Sequence, residues 1–198
     1  MALRIEDYAL IGDCHSAALV GRDGSIDWLC WPRFDSGACF ASILGTPEHG
    51  RWLLAPAPAR AGGAEPLAIG RAYHGDTLIL QSVFRTGTGA VAVVDFMPVR
   101  DGTPQLVRVV RGLRGTVDMR MELVLRFDYG LIVPWVRKLE DGSGIRAVGG
   151  PDMVVLRAPV PMEGEDLKTV ARFTVKQGQR MPFVLSYAPS HQPPVQWF

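Results

Sequence analysis

The chain has 198 residues, 47% of them apolar and 21% charged, with a formal net charge of +1. That apolar share supports a packed core and excludes wholesale disorder, and the near-neutral balance gives no electrostatic reason for a nucleic-acid or acidic-membrane partner. No run of about 18 apolar residues occurs, so no helical membrane span is expected.

Read from the N-terminus, Glu6 and Asp7 stand where a secretory leader needs an apolar run, which predicts a cytoplasmic chain. Residues 17–20 and 25–31 read as two arms of a hairpin around Arg22-Asp23-Gly24. The glycine accepts the positive φ of such turns, and the aspartate can bond its own backbone. Asp35-Ser36 can cap one or two helical turns over residues 38–44. A loop follows over residues 55–66 (APAPARAGGAEP). TLILQSVFR and AVAVVDF, joined by Thr86-Gly87-Thr88-Gly89, form a second predicted hairpin.

Residues 106–110 supply a strand, and TVDMRMELVLRF supplies a long one. In the latter, Val117, Met119, Met121, Leu123, Leu125 and Phe127 point one way, while Asp118, Arg120, Glu122 and Arg126 point the other. Residues 133–139, 153–156, 169–176 and 181–187 complete the strand set, with loops at 141–144 and 159–166 between them. The tail PSHQPPVQWF is proline-rich, as linkers are. Many short strands without a βαβ rhythm or an internal repeat predict an all-β, antiparallel sandwich with little helix over residues 1–188. A linker is expected to begin at 189–198.

Familiar catalytic motifs are mostly absent from the sequence. The sequence holds no GxSxG elbow, HExxH, P-loop or dinucleotide fingerprint. Cys14, Cys30 and Cys39 lack metal-ligand spacing and read as reduced, mostly buried thiols; no metal and no cofactor are expected. Asp13-Cys14-His15 sets three reactive types side by side, but neighbours on an extended strand face opposite ways. Asp13, Asp27 and Asp35 are close in sequence, as a glycosidase acid and base might require, yet none shows a setting that would raise its pKa. The richest segment is GRDGSIDWLCWPRFD. Trp28 and Trp31 are three apart and face opposite sides of a strand, and Arg33 offers a planar donor fork beside Asp35. Tryptophan, arginine and aspartate together suit either an inter-domain interface or a sugar site, and hot-spot composition favours the interface.

IEDYALIGDCHSAALVGRDGSIDWLCWPRFDSGACFASILG resembles the opening of bacterial glycoside hydrolase family 15 enzymes, which are glucoamylase- and trehalase-like. The resemblance continues through GRWLLAP, TLILQSVFRTGTG, VVDFMPVRD, MRMELVLRFDYG, VPWVR and FVLSYAPSH. It implies an N-terminal antiparallel sandwich of the supersandwich kind, then a linker, then a C-terminal α-helical toroid whose two glutamates hydrolyse α-glucosidic bonds with inversion. On that reading this chain is the accessory sandwich, inactive alone, with the toroid of the same polypeptide as partner and the α-glucoside substrate met through it. Trp31, Arg33 and Asp35, with Tyr129 and Trp135 beside Pro134, become candidates for the substrate rim or the inter-domain contact. Uncovered apolar surface and open sheet edges further predict a homodimer of the fragment. The alternatives are a free-standing carbohydrate-binding sandwich and a small hydrolase using its own carboxylates.

Overall fold

A computed structural model describes residues 3–60, 63 and 66–194. Part of the 55–66 loop and the end of the 189–198 tail lie outside the described residues. Among the described residues there are fifteen strands, all paired antiparallel, and helical structure is confined to 3-10 turns of three residues each.

One layer contains β1 (Tyr8–Gly12), β2 (Ala17–Gly21), β3 (Ser25–Cys30), the short β4 (Ala38–Phe40) and β5 (Arg51–Pro56). The other begins with β6 (Gly70–Tyr73), β7 (Leu80–Arg85) and β8 (Gly89–Phe96). A single strand, β9 (Gln105–Val124), belongs to both. Its first half pairs with β8 and β15 (Arg180–Pro189), and its second half with β5 and β14 (Lys168–Lys176). Beyond β15 the second layer continues through β12 (Asp152–Arg157) and β11 (Gly144–Gly149) to the terminal strand β10 (Trp135–Lys138). Beyond β14 the first layer ends at β13 (Glu163–Glu165).

The sequence predicts two strands where the structure has the 20-residue β9. Two glycines explain the join. A Cβ on Gly112 would stand 2.1 Å from the Lys176 carbonyl oxygen, and one on Gly115, at φ +61°, would stand 2.3 Å from that of Thr88. Only glycine fits where the strand crosses between layers. Leu113 is an extra residue between the β8 pairings of Gly112 and Arg114, a bulge that shifts the phase of burial. Leu106, Arg108 and Val110 are buried before it, and Val117, Met119, Met121 and Leu123 after it, so the same core is faced throughout.

That core joins residues of both layers in one cluster, including Ile26, Trp52, Phe84, Val93, Phe183 and Leu185. Arg108 lies within it, fully buried. Its guanidinium donates to Asp95 Oδ1 at 2.8 Å within its own layer, and to the carbonyls of Trp52 and Gly24 in the opposite layer, each at 2.7 Å. The helical turns expected over residues 38–44 are replaced by β4 and a 3-10 turn at Ser42–Leu44. Pairing of Phe40 with Leu29 on β3 outweighs the local capping signal.

Candidate functional site

The β2–β3 hairpin forms as read. Gly24 sits at φ +82°, its N–H donates to the Gly21 carbonyl at 3.0 Å, and Asp23 Oδ1 accepts the Ser25 N–H at 2.9 Å. Burial pushes the Asp23 carboxyl above its ordinary range, with the Ser25 N–H opposing and Asp27 reinforcing. One carboxylate thus has the kind of setting the sequence does not reveal, although it serves a turn.

The two tryptophans diverge as their spacing requires. Trp28 packs on Cys30, Ala38 and Ala41, with its ring centroid 6.1 Å from that of Tyr129. Trp31 is 3% exposed, belongs to the main core and lies 6.4 Å from the Tyr187 ring. Its side chain therefore fills the interior and is not presented at the surface. After the cis Trp31–Pro32 bond the chain does leave the sheet. Residues 33–36 make an exposed turn in which Arg33 Nε donates to Asp35 Oδ1 at 3.0 Å and Phe34 is 62% exposed. The Arg33 guanidinium holds the Asp35 carboxyl below its usual range. An ion pair this exposed adds little stability, which leaves both groups free for a contact.

A buried clamp fixes the base of that turn. Asp13 Oδ1 accepts the N–H groups of His15 and Ser16 at 3.0 and 2.7 Å, so Asp13-Cys14-His15 is a turn and not a strand. Asp13 Oδ2 accepts both Nε and Nη2 of Arg100, at 2.9 and 2.7 Å, and Arg100 also donates to the Pro32 carbonyl. Arg100 sits in a loop, with nothing in its local pattern to mark it as a positioning residue.

The second predicted patch lies alongside. Phe127 and Ile132 exchange backbone hydrogen bonds of 2.9 and 3.0 Å, closing a tight loop in which Tyr129 adopts φ +58°. The Tyr129 hydroxyl donates to the Ser36 carbonyl at 3.4 Å, so the two patches meet. From there the surface runs through Leu131 and Val133, at 80% and 51% exposure, to Trp135 at 71%. Arg33, Asp35, Tyr129 and Trp135 thus share one exposed ridge, with Phe34, Leu131 and Val133 as members the sequence does not single out. Beside Trp135 a groove of about 580 Å³ opens between β10 and β13, floored by Leu123, Leu125, Ile145 and Ala147.

The carboxylates proposed as a cluster are committed separately. Asp13 is held by Arg100, and Asp27 accepts from the Tyr8 hydroxyl at 2.6 Å and the Ser25 hydroxyl at 2.5 Å. Burial and the Asp27 carboxylate push the Tyr8 phenol up. His49 bonds within the Thr46–His49 turn through Nδ1. Cys30 and Cys39 are buried, with thiols raised chiefly by desolvation, and Cys14 is exposed, so the thiols are mostly buried, as expected. Among the described residues no group of three His, Cys, Asp or Glu is placed to hold a metal, and no helix is long and apolar enough to cross a membrane.

Fold and ridge define an all-β, two-layer antiparallel domain that leaves Phe34, Leu131, Val133 and Trp135 exposed and keeps Asp13 and Asp27 bonded to structural partners. The chain belongs to the trehalase-like N-terminal family, whose sequence profile matches residues 1–191. It is 30% identical to the trehalase of Mycobacterium tuberculosis over 217 aligned positions, covering 96% of this chain and 30% of that protein. The trehalase of Mycolicibacterium smegmatis is 34% identical over 63% of this chain and 20% of its own length. Trehalase 1 of Sulfolobus acidocaldarius is 27% identical over 71% and 23%. The chain therefore spans between a fifth and a third of the length of these curated relatives.

Proposed function

We propose that this chain is the non-catalytic N-terminal domain of a cytoplasmic, inverting α-glucoside hydrolase of family 15, with trehalose as the substrate suggested by its relatives' names. Residues 1–188 form the domain, residues 189 onward begin the linker, and a C-terminal helical domain of the same polypeptide carries the acid and base. The observation that carries this reading is the ridge from Phe34 through Tyr129 and Leu131 to Trp135. Phe34, Tyr129, Leu131, Val133 and Trp135 are all exposed, large apolar groups of the kind that interfaces cover, and the Arg33–Asp35 pair gives them a polar rim. Arg33, Asp35, Tyr129 and Trp135 take the contact with the catalytic domain near its pocket mouth. Trp31 supports them from the core. The apolar surface also drives self-association of the chain when it stands alone.

The test uses paired substitutions, Leu131→Ser with Trp135→Ala, and separately Arg33→Ala. In this chain alone, at concentrations low enough to keep it monomeric, they should move stability by no more than about 0.5 kcal/mol, as exposed sites do. In the full-length polypeptide they should lower turnover or melting temperature. Wild-type turnover together with wild-type melting would discard the docking role. A second reading, a carbohydrate-binding module, is favoured by Trp135 standing exposed beside a groove lined by Glu163 and Glu165. Calorimetric titration of this chain with trehalose and maltooligosaccharides separates the two, because only the module binds without its partner domain.

A further inference from the structure

The groove beside Trp135 lies where the terminal strands of the two layers, β10 and β13, face each other, so two unpaired strand edges border one apolar floor. Register fixes which side chains accompany each edge. Val136 and Lys138 lie opposite Ala147 and Ile145, which belong to the core, so these two share the inner face, and Trp135 and Arg137 share the outer face. On β13, Gly164 lies opposite Thr169, itself opposite the buried Leu123, so Gly164 is on the inner face and Glu163 and Glu165 are on the outer.

On the outer face of its own layer, β10 therefore carries the basic Arg137, and β13 carries the acidic Glu163 and Glu165 on the outer face of the other layer. Among the described residues Arg137, Lys138 and Glu163 take part in no ion pair, and Glu165 makes one exposed contact, at 3.3 Å to Arg172. Open edges of this kind recruit a further strand.

We infer that a second copy of this chain closes the groove, with β10 of each protomer pairing with β13 of its partner. A two-fold axis along the groove sets the basic edge of one copy beside the acidic edge of the other, twice over, as an isologous interface requires. Arg137 then meets the partner's Glu163 and Glu165 on the outer face. Lys138 on the inner face meets the partner's Gly164, which has no side chain and has open space beside its Cα. Val133, Val136 and Leu167 at the mouth, all exposed in the single chain, are covered. This inference rests on the self-association proposed above and adds its surface and its pairing.

The experiment is a sedimentation concentration series on this chain, on Arg137→Glu, on Glu163→Lys/Glu165→Lys, and on a one-to-one mixture of the two variants, with circular dichroism confirming the fold of each. The wild-type chain should dimerise, and each variant alone should dissociate at least about tenfold more readily, since like charges then face each other at both contacts. The mixture should recover wild-type dimerisation, because both contacts regain opposite charges. A dimer indifferent to the substitutions, or a mixture that fails to recover, overturns the β10–β13 pairing while leaving self-association standing. A wild-type chain that stays monomeric throughout overturns both.

Discussion

Replacing Arg108 with methionine removes a charged group that ties the two layers together through the core. The guanidinium is fully buried. It forks onto Asp95 at 2.8 and 3.4 Å, donates to the Trp52 and Gly24 carbonyls, and lies 5.2 Å from the centroid of the Trp52 ring. Methionine keeps the aliphatic stem but leaves the Asp95 carboxylate, itself fully buried, without its counter-ion. Breaking one side of a buried pair costs about 3–5 kcal/mol, most of it from the charge left behind. With a urea slope of about 2 kcal/mol per molar, the unfolding midpoint should fall by roughly 1.5–2.5 M. The double variant Arg108→Met/Asp95→Leu removes both charges and should recover at least half of that loss, because apolar replacements of a whole pair are often neutral. Urea titration followed by tryptophan fluorescence measures both. A single variant costing less than about 1 kcal/mol, or a double variant no better than the single, would refute the assignment of Arg108 as a tie between the layers.

Asp23→Asn should stabilise the chain at pH 7 and leave it unchanged near pH 3. The folded carboxyl is raised, so its contribution to stability is full below the unfolded value of 3.8 and is lost as pH rises through the folded value; Tm against pH reads this, and a loss of Tm at pH 7 would contradict it. Gly24→Ala should cost more than about 2 kcal/mol, because φ +82° strains an L-residue and the new Cβ would stand 2.6 Å from the Leu54 carbonyl oxygen; the urea midpoint measures it. Iodoacetamide at pH 8 should modify only Cys14 in the native chain and all three cysteines in urea, because Cys30 and Cys39 are buried with raised thiols; mass spectrometry counts the adducts, and two native adducts would count against the packing of β3 on β4.

The strands with one wet face were legible. The alternation of 116–127 and the hairpin turns at Gly24 and at 86–89 correspond to β9, β2–β3 and β7–β8. Strands without that contrast were not. In β5, Trp52, Leu53, Leu54 and Ala55 are all buried, so no alternation exists to read, and β6 and β13 are three or four largely exposed residues held by a neighbour's edge. The helical reading of 38–44 holds only for the 3-10 turn at Ser42–Leu44, because a capping signal is local, whereas the pairing of β4 with β3 that claims residues 38–40 is not. At the ridge, tryptophans and arginines were visible as residue types, but which tryptophan faces outward depends on where the core lies. Trp31 went inward and Trp135 outward. Leu131 and Val133 carried no mark, since an aliphatic residue reads as core until the fold leaves it bare. Arg100 reaches Asp13 across 87 residues of sequence, a link that no local spacing encodes.

Glucose release from trehalose by the purified chain tests the central claim most directly. A domain that lends its surface to a catalytic partner, with Asp13 and Asp27 held in structural pairs, should liberate none above the uncatalysed background. Cleavage that disappears on Asp13→Asn, Asp27→Asn or Asp35→Asn would place the acid or the base in this sandwich and contradict the account.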